Sequence, residues 1–453
     1  MTGTAKGMIG FDWAYCRALA VGVQDGIADE DVERWLPEAR KVHERILKER
    51  ESGLLAFWDI IEDEKVEERV LEIAEHFKGR LVDNIVVLGI GGSALGAQAL
   101  FDALVSPFYN LTTRPRFFVL DNIDPLTFSQ FLDMVDLGRT VFVVISKSGT
   151  TAETLSQFLI VKERVVSLLG REALKKHFVV VTDPDKGVLR SWVRESGVLS
   201  CDIPPGLGGR FSVLSAVGLV PAALLGLDIR ELREGARAMA ALCETASVIE
   251  NPAYCNGLYH VIADLDKGKN IHVYWAYSDS LYSFADWLRQ LIAESLGKKV
   301  GEKLYGPTPV KARGVTDQHS QLQLYREGPN NKIITFIGVK SWPADVDIPP
   351  AEEESLADAG YLGGKKMGEL FHAEQRATAW ALAEAGRPNI TLWFPQVTPY
   401  TIGQAFFLYE LQTVFMGYLY GVNPFDQPGV ELSKKMTYGL MGRKGFEEFV
   451  RYL

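Results

Sequence analysis

The chain of 453 residues contains few cysteines, and its four, Cys16, Cys201, Cys243 and Cys255, lie far apart. Such scattered positions build no disulfide framework, and they lack the paired spacing that is typical of a zinc site. We therefore expect a cytoplasmic chain that works in a reducing environment and holds no metal.

Basic residues are outnumbered by acidic ones, 48 to 58, which gives a formal net charge of −10. This balance argues against a general nucleic-acid partner, because phosphate backbones select basic surfaces. A local positive pocket for one small phosphate is still compatible with it.

Long uninterrupted apolar runs are also missing. The most apolar stretches, 216–227 and 401–420, are too short or carry Glu410 and Gln412, so we expect buried helices and no membrane span. Residues 1–14 lack a basic start followed by a long apolar core, the pattern of a signal peptide.

What the chain does have is an alternation of apolar strands and helical segments, after a charged helical region at 30–80 with one apolar face (Leu36, Ala39, Val42, Ile46 and Leu47). Continuous apolar strands separated by helices predict parallel sheets covered on both faces. The predicted strands are 84–90, 116–120, 140–145, 177–182, 270–277, 332–339 and 389–394. One predicted helix begins at about 93, a second ends at about 169, and three more span 254–266, 281–296 and 367–384.

This order predicts an α/β fold with two successive parallel-sheet layers. We expect a helical N-terminal segment (1–55), a first α/β domain (56–235), a second α/β domain (236–420) and a C-terminal helical tail (421–453). The tail is broken at Asn423-Pro424, so a helix is expected to return across the first domain.

The first predicted strand ends in a glycine turn, Gly89-Ile90-Gly91-Gly92-Ser93-Ala94, which lets a ligand approach bare backbone at a helix N-terminus. With Asp121 after the next strand, the turn also fits a loosened dinucleotide fingerprint, although that signal alone is weak. No Gly-Lys-Ser or Gly-Lys-Thr follows, so a Walker-type loop is not supported.

A second turn is crowded with hydroxyl groups: residues 146–154 read Ser-Lys-Ser-Gly-Thr-Thr-Ala-Glu-Thr. Small hydroxyls, backbone amides freed by Gly149 and the start of a helix are typical of a phosphate site. Thr150 and Glu153 have the spacing of a capping box. An ordinary strand-to-helix turn has a similar composition, but five hydroxyl residues favour phosphate.

Four later motifs carry candidate chemistry, each equivocal alone. Arg210 follows paired glycines and can reach substrate oxygens. Gln290 and Glu294 are four residues apart on one helix face, beside apolar residues. His319 lies in a polar loop, where acid–base work is feasible. A turn at 423–434, rich in polar groups, leads into a helix that contains Lys434.

Taken together and in this order, the motifs between Gly89 and Lys434 resemble the glucose-6-phosphate isomerase family, in its shorter, bacterial type. The resemblance covers most of the chain and includes five or six ordered motifs. It implies two sugar-isomerase (SIS) domains in a homodimer, with shared active sites at the domain and subunit junction. It also implies reversible conversion of D-glucose 6-phosphate and D-fructose 6-phosphate, in glycolysis and gluconeogenesis, without a cofactor.

The resemblance also implies a role for each residue. Glu294 would carry the proton between carbons 1 and 2, and Arg210 would stabilise the enediolate. Lys434 and His319, the latter from the neighbouring subunit, would help open the sugar ring. The remaining residues would bind substrate: the phosphate on Ser146, Lys147, Ser148, Thr151 and Thr154, the sugar on Gly92, Ser93, Gln290 and Gln427.

Some points depart from the family pattern or leave a choice open. Ala94 stands where many relatives carry an acidic residue, Lys435 is an alternative to Lys434, and capping already accounts for Glu153. Three other functions are also compatible with the sequence: an isomerase of another phosphosugar, including mannose 6-phosphate, a dehydrogenase that uses the Gly89 turn, and a sugar-phosphate sensor without catalysis.

Overall fold

A computed structural model describes residues 7–451, which begin with one short strand and a helical region. The strand β1 spans Gly10–Asp12, and the helices are α1 (Ala18–Val21), α2 (Asp29–Glu51), α3 (Ala56–Asp59) and α4 (Glu64–Phe77). On α2, the predicted apolar face is buried at Ala39, Val42 and Ile46. These three residues belong to the largest core of the molecule.

The first sheet contains five strands: β2 (Asn84–Leu88), β3 (Arg116–Leu120), β4 (Thr140–Ser146), β5 (Phe178–Thr182) and β6 (Leu199–Asp202). They are all parallel, in the order β3-β2-β4-β5-β6. The accompanying helices are α5 (Leu95–Leu104), α6 (Tyr109–Thr112), α7 (Pro125–Met134), α8 (Ala152–Leu169), α9 (Leu174–His177) and α10 (Val188–Ser196). Alternate residues of β2 enter different cores, Ile85 and Val87 one and Val86 and Leu88 the other. Both faces of the sheet are therefore covered.

The connection to the second sheet consists of α11 (Ala216–Leu224), α12 (Ile229–Leu242) and α13 (Pro252–Leu265). The second half then contains β7 (Ile271–Tyr277), α14 (Tyr282–Leu296), β8 (Lys298–Val300), β9 (Lys303–Tyr305), β10 (Thr308–Arg313), α15 (Leu322–Glu327), β11 (Lys332–Val339), α16 (Met367–Glu384) and β12 (Asn389–Phe394). The sheet order is β1-β12-β11-β7-β10, parallel except for β1, and β8 and β9 form a separate hairpin.

Two further helices complete the chain, α17 (Pro399–Leu419) and α18 (Glu431–Leu440). From Thr401 to Leu419 every residue of α17 is buried. Glycine lets α17 approach α12 closely, because a Cβ on Gly403 would lie 1.9 Å from the carbonyl oxygen of Leu232. On α18, Tyr438 returns to the first sheet, where its hydroxyl lies 3.5 Å from the carbonyl oxygen of Thr150. No helix within residues 7–451 is long and apolar enough to cross a membrane.

The predicted fold class is confirmed: two mainly parallel sheets, each covered by helices, follow one another along the chain. The sequence did not predict β1, β6 and β10, nor the hairpin strands β8 and β9. These strands lie at sheet edges and have three to six residues, so they lack the continuous apolar pattern of buried strands. The domain boundaries at 55, 235 and 420 stay a prediction.

Candidate active site

The glycine turn after β2 is the place where three distant segments meet. A Cβ on Gly92 would lie 2.2 Å from the carbonyl carbon of Gly209, so only glycine allows the backbones to come this close. Gly91 has a φ of +58°, and a Cβ there would lie 2.9 Å from Nε2 of Gln290. The turn therefore brings the Arg210 loop and the Gln290 helix to the carboxyl end of β2.

Helix α14 is fixed against the helix that follows the glycine turn, α5. The hydroxyl of Ser283 on α14 donates a hydrogen bond to the carboxylate of Asp102 on α5. Gln98 supports the same carboxylate, with Nε2 at 2.8 Å from Oδ1. This packing joins the two sheet layers and sets where the next turns of α14 project.

Arg210 is the central cation of the site and is only 3% exposed. Its Nε donates to Oγ of Ser295 at 2.7 Å. Its Nη1 donates to Oε1 of Gln427 at 2.9 Å and to Oε2 of Glu294 at 3.3 Å. Its Nη2 donates to the carbonyl oxygens of Pro424, at 2.5 Å, and Asp426, at 3.0 Å. All five N–H donors of the guanidinium therefore have an acceptor.

Burial lowers the pKa of Arg210, and the negative charges of Glu294 and Asp426 act in the opposite direction. An arginine begins from so high a pKa that the guanidinium stays charged. The site therefore contains a permanent positive charge away from bulk water. Such a charge is worth most where a reaction develops negative charge.

Glu294 lies between two donors on the next turn of α14. Gln290, one turn earlier, donates from Nε2 to Oε1 of Glu294 at 2.9 Å, as their shared helix face predicts. Arg210 contacts the other oxygen, Oε2. The side chain of Glu294 is 35% exposed, so the carboxylate is oriented and also accessible. This arrangement suits a group that takes up and returns a proton.

The hydroxyl-rich turn follows β4, which lies beside β2 in the sheet. Oγ of Ser146 lies 3.0 Å from Oγ1 of Thr151, and Ser148 accepts hydrogen bonds from Thr150. Gly149 has a φ of +63°, which glycine adopts readily. Helix α8 begins at Ala152 after an N-cap at Thr151, so backbone amides are present where an anion site was predicted.

At this turn, one prediction is wrong and one predicted phosphate ligand is buried. The capping box of Thr150 and Glu153 is wrong, since the N-cap is Thr151 and no side chain caps the helix. Thr154 is 1% exposed, so its hydroxyl is closed to a ligand in this conformation.

Lys147 connects the hydroxyl turn to the Arg210 loop. Its Nζ donates to the carbonyl oxygen of Leu207 at 2.7 Å, three residues before Arg210. Burial lowers the pKa of Lys147, and the nearby carboxylate of Asp183 partly opposes this. The lysine thus lies between the predicted phosphate site and the Arg210–Glu294 pair.

His319 and Lys434 are exposed and contact neither Arg210 nor Glu294 within residues 7–451. His319 ends a short 3-10 helix, Thr316–His319. Lys434 donates to Oε1 of Glu431 at 3.0 Å on α18, whereas Nζ of Lys435 lies 5.4 Å from the ring centroid of Phe449. The structure of one chain therefore assembles Gly92, Gln290, Glu294, Arg210 and Gln427, with Ser93 in the same glycine turn.

The sequence did not predict three residues that contact the site: Ser295, Lys298 and Asp426. Ser295 accepts from Arg210, and Nζ of Lys298 lies 3.1 Å from Oδ1 of Asp426. Lys298 follows the end of α14 and begins β8, so the sequence carries no helical spacing that could have paired it with Glu294 or Asp426. Within the described chain, 7–451, no group of three or more His, Cys, Asp or Glu side chains is arranged to hold a metal ion.

A sequence model described as Phosphoglucose isomerase matches residues 66–444. The chain belongs to the phosphoglucose isomerase family. A glucose-6-phosphate isomerase of Carboxydothermus hydrogenoformans is 45% identical over 439 residues, 94% of this chain and 93% of that protein. One from Rubrobacter xylanophilus is 45% identical over 383 residues, 84% of this chain and 87% of that protein.

Solved structures agree with this membership. A hypothetical protein from Thermus thermophilus superposes with a TM-score of 0.86 at 35% identity, over 96% of this chain and 100% of that one. A glucose-6-phosphate isomerase from Chlamydia trachomatis gives a TM-score of 0.74 at 25% identity, over 85% of this chain and 76% of that one. The predictions of family, fold class and isomerase activity are confirmed.

Proposed function

We propose that the chain interconverts D-glucose 6-phosphate and D-fructose 6-phosphate by ring opening and proton transfer through an enediolate, the step shared by glycolysis and gluconeogenesis. The observation that carries the proposal is the pairing of a buried Arg210 with an accessible Glu294 at the glycine turn. Family membership supports it, because relatives 45% identical to this chain are named glucose-6-phosphate isomerase.

In the proposed reaction, Glu294 removes a proton from one of the two reacting carbons and returns it to the other. A single carboxylate serves both steps because the two carbons are adjacent. The negative charge appears on the former carbonyl oxygen, where Arg210 stabilises it without reorientation of water. The hydroxyl proton passes from the oxygen of one reacting carbon to the oxygen of the other, which completes the isomerisation. Gln290 holds the carboxylate from its other side.

Substrate binding must release Arg210 from part of its present network. The Nε and Nη2 donors hold Ser295 and two backbone carbonyl oxygens, whereas Nη1 holds the side chains of Gln427 and Glu294. The contact with Glu294 is the longest, at 3.3 Å. We infer that a substrate oxygen replaces Glu294 at Nη1, which leaves the carboxylate free to act as the base.

The phosphate would lie on the turn of Ser146, Ser148 and Thr151, with Lys147 close by. Hydroxyls, backbone amides at the start of α8 and one lysine suit a dianion without a metal. Binding at this remote group contributes orientation to the reacting end. Thr154 would take part only if the turn rearranges, because its side chain is buried.

Ring opening is assigned to Lys434 and His319, and we propose that a homodimer completes the site, with His319 from the partner. The exposed position of both residues in one chain is compatible with this arrangement. Under this proposal, the groups that open the ring would reach Glu294 only in the dimer.

The test is incubation with fructose 6-phosphate, with glucose 6-phosphate detected through a coupled dehydrogenase and NADP, with and without chelator. We expect turnover in both conditions and little conversion of unphosphorylated fructose to glucose, which is followed with a dehydrogenase specific for glucose. Mannose 6-phosphate, assayed in parallel, decides whether the enzyme accepts the C2 epimer. Absence of turnover, or equal turnover of fructose and its 6-phosphate, would contradict the proposal.

A further inference from the structure

Lys298 has no assigned role, yet its side chain is only 6% exposed and it lies just after the end of α14, four residues from Glu294. Its Nζ donates to the carbonyl oxygen of Glu294 at 2.7 Å, at the end of α14. The same ammonium contacts the carbonyl oxygen of Asp426 and lies 3.1 Å from Oδ1 of that residue. Lys298 therefore ties the helix of the proposed base to a loop 128 residues later.

Arg210 holds the same loop from its other side. Its Nη2 donates to the carbonyl oxygens of Pro424 and Asp426, so Lys298 and Arg210 share the Asp426 oxygen. The next residue, Gln427, accepts a hydrogen bond from Arg210. The chain then passes through a 3-10 helix, Pro428–Val430, into α18, which contains Lys434.

We propose that Lys298 is a positioning residue: it clamps the loop 424–427 to the end of α14 and so sets Gln427 and α18 relative to Glu294. This inference rests on the proposed function for its catalytic consequence. The clamp itself is a statement about the fold and can be tested without substrate.

The electrostatics argue that this contact does more than stabilise the fold. Burial lowers the pKa of Lys298, and the nearby positive charge of Arg210 lowers it further, against the opposite effect of Asp426. Two cations that converge on one carbonyl oxygen repel each other, and an ion pair whose carboxylate is half exposed adds little to global stability. The carboxylate of Asp426 is 52% exposed, so removing the ammonium does not strand a buried charge.

The first measurement compares the kinetics of Lys298→Met with those of Lys299→Met, the matched control. Lys299 is the next residue, is 61% exposed and lies 3.7 Å from the exposed Glu302. For Lys298→Met we expect a kcat roughly tenfold lower with KM changed less than about threefold, because the phosphate site is separate from the clamp. Lys299→Met should match the wild type.

Two more variants distinguish loss of the clamp from misfolding of the protein. Lys298→Arg keeps the charge and donors and should recover part of kcat, whereas Lys298→Gln keeps polarity without charge and should not. A similar kcat in Lys298→Met and the wild type, or a similar loss in Lys299→Met, would overturn the proposal.

The second measurement is trypsin cleavage of the full-length protein without substrate, followed by mass spectrometry at Lys434, Lys435, Arg443 and Lys444. Loss of the clamp should speed cleavage at these sites about tenfold in Lys298→Met and leave it unchanged in Lys299→Met. Unchanged cleavage with a lowered kcat would also overturn the proposal. If the wild type fails to isomerise the sugar, the cleavage rates still decide whether the clamp exists.

Discussion

Replacing Glu294 with glutamine tests the proposed base with little change in shape. The new amide can still accept from Arg210 through its oxygen and can donate its NH₂ to Gln290. Oε1 of Gln290 is buried and has no hydrogen-bond partner within residues 7–451, so rotation of that amide would provide an acceptor. Arg210 would keep its contacts to Ser295, Gln427 and two backbone carbonyl oxygens. We therefore expect a folded protein that binds substrate normally.

The expected loss is confined to catalysis. An amide cannot accept the proton, and general-base catalysis contributes roughly 10²- to 10⁴-fold. At about 1.36 kcal/mol per factor of ten, this raises the barrier by about 3–5 kcal/mol. The affinity for fructose 6-phosphate, measured by titration calorimetry on the variant, should change less than about threefold, since the phosphate turn is intact.

Glu72→Gln is the matched control, because Glu72 is an exposed glutamate on α4 whose Oε2 lies 3.0 Å from Nη1 of Arg69. Its activity should equal that of the wild type in the coupled assay. A Glu294→Gln variant that keeps more than about a tenth of the wild-type kcat would remove Glu294 from the mechanism. Loss of binding together with activity would instead make Glu294 a substrate ligand.

Three further predictions concern the other groups. Lys147→Met should raise KM roughly 10- to 100-fold with a smaller effect on kcat, and a KM equal to that of the wild type would exclude the lysine from phosphate binding. Because burial lowers the pKa of Lys147, we also expect the wild-type KM to rise as the pH increases. Lys434→Met should lower kcat about 10²-fold or more while Lys435→Met has little effect, and the reverse result would move the role to Lys435. Co-expressed Glu294→Gln and His319→Ala chains should recover about a quarter of the wild-type activity, because half of the dimers are mixed and each has one intact site; no recovery would place His319 in the site of its own chain.

The sequence predicted best the elements whose pattern is local. Strands β3, β11 and β12 and helix α16 begin and end where the sequence pattern predicts. Strand β11 is buried along its whole length, and such burial needs a continuous apolar segment. Strand β10 contains a proline and two basic residues and lies at a sheet edge, where one side is open and such residues are tolerated. Strand β10 pairs with β7, and such a contact between distant segments cannot be predicted from a local sequence pattern.

The same limit applies to the site. The four-residue spacing of Gln290 and Glu294 indicated a shared face, and the structure places them 2.9 Å apart. The partners of Arg210 were out of reach, since its acceptors are 84 to 217 residues away and two of them are backbone carbonyl oxygens. Every residue has a backbone carbonyl oxygen, so the residue type at a position does not indicate that Arg210 donates to it.

The hydrogen bonds of Arg210 divide between the protein framework and the site. Three of its five donors go to groups that fix the guanidinium in the protein, and two go to side chains that face the site. A lysine could not reproduce this division, because its three donors share one nitrogen and cannot bind both sets of acceptors in a fixed plane. The guanidinium can thus stay in place while Nη1 exchanges the Glu294 carboxylate for a substrate oxygen. In the proposed mechanism, Arg210 would therefore orient Glu294 before substrate binds and then stabilise the negative charge formed when Glu294 removes the proton.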